Sequence, residues 1–433
     1  MTNTQKYENC NIKEAIITSN NSSGDTVNLQ KAVDCQYSEG ILNDTISCDY
    51  IITNSGGTIN GKNLMEGLPL VGTEDFTLTI EDSQQNVIKV NLNVNKVTPI
   101  AKEPQREDIL LSLTSEEFIR NEEKSAEVTK RYDGKISEHI RKILTDNLKT
   151  EKELFIEDTS NNFNFCGNRR KAIYILNWLS KKSIPNINGK RGDTAGYVFF
   201  ENADGFHFKS IDSLFAQEHV KSYVYGGQPD SSIAYDGEIV NLISDNRFVA
   251  NEKLRMGTYN TKIIIFDPFN CKYDIIEQNA LDADEGTTHA GKQLPVINTK
   301  FSSQTTRTTY VLRDTGTLPT GNVEQQVGKN EEQIFEESVI LNQAIRRYNQ
   351  FISSSVLIEI AADFSLRVGQ TIFIDTSSGD SGGDQETDKQ IGGKYLIISL
   401  KHVIRQGKGQ TTLGLARDSV GREGKPHNGS MVN

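Results

Sequence analysis

Long apolar runs are missing from this chain. Runs such as Ile263-Ile264-Ile265-Phe266 and Tyr395-Leu396-Ile397-Ile398 are strand-length, well short of the roughly 18 residues a membrane span needs. Membrane insertion is therefore not expected. The first residues, Met1-Thr2-Asn3-Thr4-Gln5-Lys6, lack a basic and then apolar leader, so a soluble, non-exported chain is expected. No block of Lys or Arg stands out and the net charge is −11, which argues against a groove that grips phosphates. Cysteine is sparse: Cys10, Cys35, Cys48, Cys166 and Cys271 are odd in number and never spaced as CxxC. Free thiols are the expectation, with a disulfide among the first three as the lesser alternative. Trp178 is the one tryptophan, too few for a surface built on aromatic platforms.

What remains is rich in strands. At 433 residues the length suggests about three domains. The stretch Tyr197–Phe208 sets apolar, β-branched and aromatic arms around Asn202-Ala203-Asp204-Gly205, so a β-hairpin is expected. Arms this apolar do not stand alone in water, so the hairpin should join a larger sheet or barrel. Short alternating strands fill residues 9–99, among them Ser47–Ile52, Phe76–Ile80 and Val87–Val94. Thr98–Pro104 reads as a linker. Ile136, Ile140, Ile143, Leu144 and Leu148 mark one helical face, and Ile173, Leu176 and Leu179 another within 169–182. Residues 226–325 read as a loop-rich insertion, 330–351 as a helix with Ile334, Leu341, Ile345 and Tyr348 on one side. Strands resume from Val356 to Leu415.

Four motifs suggest chemistry, and each falls short. Gly379-Asp380-Ser381-Gly382-Gly383 copies a serine-protease nucleophile but has no matching His and Asp context, and it sits in a polar loop. Gly56–Asn63 approaches a phosphate loop, yet Asn63 stands where a hydroxyl would hold magnesium. Glu201, Asp204 and His207 cluster at the hairpin turn, a spacing that does not make their side chains converge on a metal. Asp282, Asp284 and Glu285 resemble half a calcium loop without its bidentate Glu. No catalytic, cofactor or metal site is expected.

Four further stretches carry a resemblance by their order. They are Leu68-Pro69-Leu70-Val71-Gly72; Leu111–Glu117 with Arg131–Ile136; the hairpin with Ser210–Leu214; and Leu366–Ile372 with Gly393–Ile398 and Thr411–Ser419. Together, over about 40–420, they resemble the baseplate central hub proteins of contractile-tailed bacteriophages. These are relatives of phage late-control tail proteins and of the base of type VI secretion spikes. The resemblance implies an α+β, β-rich fold: two tail-tube-like antiparallel β-barrel domains, an α/β domain and an inserted segment. It places the first barrel at 1–100, mixed α/β structure at 101–196, and the second barrel at 197–225 with 345–421. The insertion falls at 226–344 and a flexible tail at 422–433.

The function so implied is structural. Three chains would form a homotrimer whose six barrels meet a sixfold tail tube protein on one side and a threefold central spike protein on the other. Baseplate wedge proteins are further implied partners. DNA would pass through the lumen without specific binding, which acidic walls favour. The location is the virion tail baseplate, after assembly in the host cytoplasm. Two readings from other classes stand beside it: a tail-associated cell-wall-degrading enzyme, which needs a carboxylate pair or a zinc or nucleophile set, and a host-glycan-binding β-module.

Overall fold

The computed structural model describes residues 7–20, 24–54, 67–103, 106–187, 190–191, 194–226, 235–246, 249–268, 271–279, 287–295, 298–302, 304–313, 317, 321–326, 337–376 and 391–423. Strand patterning dominates, as the β-rich α+β expectation required. The first barrel uses β1 (Asn11–Thr18), β2 (Thr26–Asn28), β3 (Ala32–Gly40), β4 (Ser47–Asn54), β5 (Asp75–Glu81), β6 (Val87–Glu103) and β7 (Arg106–Thr114). Their order is β2-β1-β5-β6-β7-β4-β3. Only residues 29–31 separate β2, on β1, from β3, on β4. That short segment links the two ends of the strand series. Every second residue points inward: Ala15 and Ile17, Cys35 and Tyr37, Phe76, Leu78 and Ile80, Ile109, Leu111 and Leu113 are all buried.

The expected linker over 98–104 is instead the far half of β6, and β7 belongs to the barrel beyond residue 100. Pro99 misled the reading. It pairs with Ile109 beside a register shift, and β5 does not reach that far along β6. On the β5 side no described strand pairs with it, and a register shift adjoins it on the other, a setting in a sheet where proline is tolerated.

The second barrel closes fully. β8 (Lys221–Tyr225), β9 (Gly237–Asn246), β10 (Ser354–Ala361), β11 (Thr371–Thr376), β12 (Gly393–Arg405) and β13 (Lys408–Arg417) follow the ring β9-β8-β11-β12-β13-β10 and back to β9. Pairing is antiparallel except at β8, which runs parallel to both neighbours. β9 lies inside the stretch expected to be insertion, because its alternation, Ile239 inward and Glu238 outward, continues the ring. The two barrels are fused through one strand. β12 pairs with β11 over Gly393–Leu396, bulges at Ile397/Ser399, then pairs with β3 over Ser399–Arg405. A bulge redirects a strand in this way.

Residues 197–225 were expected in the second barrel; β8 at their end lies there, but the hairpin does not. Its arms, Tyr197–Asn202 and Gly205–Ser210, instead form a three-stranded sheet with Glu153–Ile156, parallel to the second arm. The reason is its two-sided apolarity. Tyr197, Phe199, Phe206 and Phe208 join a middle core with Ile136, Ile140, Ile143, Leu144, Leu148, Ile173, Leu176 and Leu179, whereas Val198 and Phe200 join the barrel core. The expected helices stand at Ile136–Lys142, continued by a wider turn Ile143–Asn147, and at Ala172–Ser180.

The long helix begins, within the described residues, at Glu337 and ends at Phe351. Ile340, Asn342, Ala344, Arg346, Arg347, Gln350 and Phe351 are buried and Leu341, Ile345 and Tyr348 half-buried, while Ile334 lies outside the described residues. The insertion contains a sheet of Asn260–Asp267, Lys272–Asn279 and Arg307–Leu312, with the helix packed on one face. The Ser381 motif, the Gly56–Asn63 stretch, Asp282, Asp284, Glu285 and the tail beyond 423 fall outside the described residues. All five cysteines are free; Cys35 and Cys48 approach to 3.9 Å between sulfurs. Among the described residues no helix is long and apolar enough to cross a membrane.

Candidate functional site

The hairpin turn is where the three bodies meet. Glu39, on β3, is buried, and its carboxylate holds one group from each. Oε1 accepts from the Tyr37 hydroxyl at 2.9 Å and from the Ala203 N–H of the turn at 2.8 Å. Oε2 accepts from the Val368 N–H of the second barrel at 2.9 Å. Burial lifts the Glu39 carboxyl to about 7, although the two amides, Arg367 and Tyr37 favour its charge. The turn itself follows from Asn202, whose Oδ1 accepts from the Asp204 N–H at 2.9 Å. Gly205 has φ +146°, and a Cβ there would lie 2.2 Å from the Glu153 carbonyl. Both facts require glycine.

Of the metal-candidate trio, the structure separates all three side chains. Glu201 points to the first barrel and the middle domain, accepting from the Ile46 N–H at 3.1 Å, the Ser115 hydroxyl at 2.6 Å and the Lys152 ammonium at 2.6 Å. Lys152 also meets Glu117 at 2.7 Å. Burial raises the Glu201 carboxyl above its usual range even against Lys152. Lys152 is held above the ordinary lysine value in spite of its own burial, because one ammonium faces two carboxylates. Asp204 turns the other way, to Arg367 Nε at 3.1 Å. His207 lies between the rings of Phe155 and Phe200, with centroids at 4.6 and 4.9 Å, and its Nε2 meets Asn202 Oδ1 at 2.9 Å. Burial lowers its pKa to about 4. Among the described residues no trio of His, Cys, Asp or Glu is placed to hold a metal.

A cleft of about 420 Å³ follows the seam between hairpin and second barrel, lined among others by Phe155, Phe200, His207, Lys209, Arg367 and Gln370. Several of its polar groups fasten the seam. Arg367 also donates to the Phe364 and Leu366 carbonyls, and Gln217 to those of Leu214 and Gly369. Gly369 allows this closeness, since a Cβ there would fall 2.6 Å from the Phe200 ring.

A second buried knot fastens the insertion. Arg347 bonds Asp418 at 2.6 Å and Asp212 at 2.7 Å, and donates to the Thr288 carbonyl. His289 Nδ1 lies 2.8 Å from Asp418, and its Nε2 lies 2.7 Å from the Thr287 hydroxyl. The sequence Asp, His, hydroxyl has the lengths of a hydrolytic relay. Here, however, Asp418 is neutralised by Arg347 and its other oxygen takes the Ala290 N–H at 3.0 Å. Burial alone would lift the Asp418 carboxyl; the His289 bond and Arg347 overcome it and hold it well below the usual range. This arrangement ties three segments together. Sequence reasoning did not single out Glu39, Arg347, Asp418 or His289. For Glu39 a signal existed, because it shares its parity with inward Cys35 and Tyr37, and Arg347 likewise sits on an apolar helical stripe. His289, in an irregular loop, has no such signal.

No family profile matches the chain. A relative does: the probable baseplate hub protein gp334 of Vibrio phage KVP40 is 21% identical over 393 residues, 87% of this chain and 88% of its own length. That is the kind of protein the sequence resembles. Two solved structures share the fold. The 43 kDa tail protein of prophage MuSo2 from Shewanella oneidensis superposes with a TM-score of 0.52 at 9% identity, covering 94% of this chain and 98% of that one. A tail protein from Neisseria meningitidis MC58 gives 0.50 at 10%, covering 94% and 97%. The similarity to the hub relative thus covers most of the chain.

Proposed function

We propose that this chain is a structural hub subunit of a phage tail baseplate, located in the virion. The observation that carries the reading is the closed six-stranded barrel joined to a second, seven-stranded β-unit, fused by the β3–β12 ladder and pinned by Glu39 and Glu201. Two barrels held at one fixed angle make a rigid unit that presents two ring positions. Three such chains form a ring of six barrels, which matches a sixfold tail tube protein while keeping a threefold contact for a spike protein. Wedge proteins of the baseplate surround it. DNA crosses the ring without being held, and the −11 charge supports that passage by repelling phosphate. The role is mechanical rather than catalytic. Among the described residues, Glu39, Glu201, Asp204, Asp212 and Asp418 are engaged in fastening one segment to another.

Imaging of the assembled particle tests the location, and solution mass tests the ring. The expected results are density for this chain between tube and spike, and a mass three times the 48.3 kDa of one chain, alone or with its spike. A chain found on the outer fibres would overturn the reading. Hydrolysis of peptidoglycan by the purified chain would restore the enzyme alternative.

A further inference from the structure

The two β-units repeat one plan, down to details that no local rule requires. In the second barrel β12 pairs with β11, bulges at Ile397/Ser399 and then runs to its hairpin with β13, Arg405 opposite Lys408. In the first unit β6 pairs with β5, bulges at Val94/Lys96 and runs to its hairpin with β7, Glu103 opposite Arg106. The same two backbone bonds recur at each bulge. Val94 N–H donates to the Glu74 carbonyl and Ile397 N–H to that of Gln370, both at 2.9 Å, while the Val94 and Ile397 carbonyls accept from Thr73 and Gly369. β9 likewise matches β3. Each pairs with the strand that flanks its unit's hairpin, β10 or β4, and each slips register at the same step, Ile239/Asn241 against Ala32/Asp34.

The two units differ in what lies along two edges. Past its bulge, the outer edge of β12 over Ser399–Arg405 is covered by β3 of the first unit. Among the described residues, the matching edge of β6 over Lys96–Glu103 pairs with no strand, because β5 ends opposite Asn93. The edge of β9 that matches the covered edge of β3 is also unpaired among the described residues beyond Glu238, where β8 stops. One edge of each kind is left over, and together they are the two halves of a joint the chain already makes once. Each carries an exposed apolar residue, Ile100 at 54% and Ile243 at 48%. Open edges such as these accept a further strand. Pro99 withholds one N–H from the β6 edge, yet its carbonyl can still accept.

We infer that the outer edge of β6 in one chain pairs antiparallel with the outer edge of β9 in a second copy, as β12 pairs with β3 within the chain. The contact is head-to-tail, so it passes from copy to copy and can close a ring. It rests on the ring proposed above and names the strands that join its subunits. Register follows from the internal joint, where Val403 faces Gln36. Ala101 and Val403 hold the same place in their hairpins, opposite Asp108 and Gln410, and Ile243 and Gln36 both lie two residues past the slip. Ala101 of one chain therefore faces Ile243 of the next, and both are exposed. Residues so opposed have Cα atoms about 4.5–5.5 Å apart, within reach of a disulfide. The test replaces the exposed Cys166 and Cys271 by Ser in the full chain and adds Ala101→Cys and Ile243→Cys, singly and together. Oxidised glutathione exchanges with any facing pair of thiols, and non-reducing electrophoresis beside sedimentation reads the product. Each single variant alone should stay uncross-linked, an equal mixture of the two should give two-chain species, and the double variant a covalent trimer and nothing larger. In the unsubstituted chain, amide exchange over 96–103 and 241–246 should slow as concentration rises. A chain that sediments as a trimer without these cross-links or that slowing would overturn the inference and leave the ring standing. A chain monomeric at every concentration would overturn it too, leaving the ring to particle imaging. Cross-links running past three chains would uphold the strand pairing and sink the threefold ring.

Discussion

Single carboxylates hold this molecule's bodies together, and their protonation is linked to stability. Glu39 titrates near 7 in the folded chain against an ordinary glutamate value of 4.5. Between those values the folded state binds the extra proton. Its contribution is therefore fully present below about 4.5 and is lost as pH rises through about 7. His402 acts in the opposite sense. It is fully buried, meets the Phe364 ring edge-on and bonds Thr411 at 2.8 Å, and burial lowers its pKa to about 3. Its contribution is present above 6.5 and is lost as pH falls toward 3. Comparing parent with Glu39→Gln separates the two: the parent should lose up to about 3 kcal/mol relative to the variant between pH 4.5 and 7. A flat difference across that range, in chemical denaturation, would show that Glu39 is not so perturbed. At the same scale, Gly205→Val must force a β-branched residue to φ +146° and into the Glu153 carbonyl. A loss of about 3 kcal/mol or more is expected in melting experiments.

At the scale of elements, fastening depends on buried ion pairs, which cost most when one partner is removed. Lys152 serves two carboxylates from different segments, Glu117 and Glu201. Lys152→Met should destabilise by about 3 kcal/mol, since two partly desolvated carboxylates then face each other. Adding Glu201→Gln and Glu117→Gln should recover a large part, which a triple-variant cycle would reveal. Arg347 performs the same task for the insertion, joining the long helix to Asp418 and Asp212. Arg347→Leu is expected to release the 287–291 segment, seen as faster amide exchange at Ala290 and Gly291. Both of these N–H groups are bonded to Asp418 and Ser419 in the parent. Unchanged exchange there would mean that the knot does not hold the loop.

Across the whole molecule, the barrels share one sheet through β3 and β12, and the Asp82 carboxylate adds a 2.8 Å bond to the Phe364 N–H. Neither barrel can open without exposing backbone groups of the other. The barrels should therefore unfold together, giving one calorimetric transition. Two separated transitions would show that they are independent and would weaken the rigid two-position unit on which the ring depends.

Much of this was legible in the chain itself. Period-two alternation marked the barrel strands, spacing of three and four marked the helices at 136 and 172, and Asn-Ala-Asp-Gly marked the hairpin, because each is dictated by local geometry and by which side must be dry. The owner of an element was not legible. Pro99 looked like a break until the register placed it where no described strand pairs on its β5 side, and β9 looked like insertion until the ring required a sixth strand. The hairpin's allegiance and the roles of Glu39, Arg347 and Asp418 depend on partners far along the chain, 71 residues apart for Arg347 and Asp418 and 329 for Glu39 and Val368. Local pattern determines which face is buried; only the closed tertiary packing decides what it is buried against.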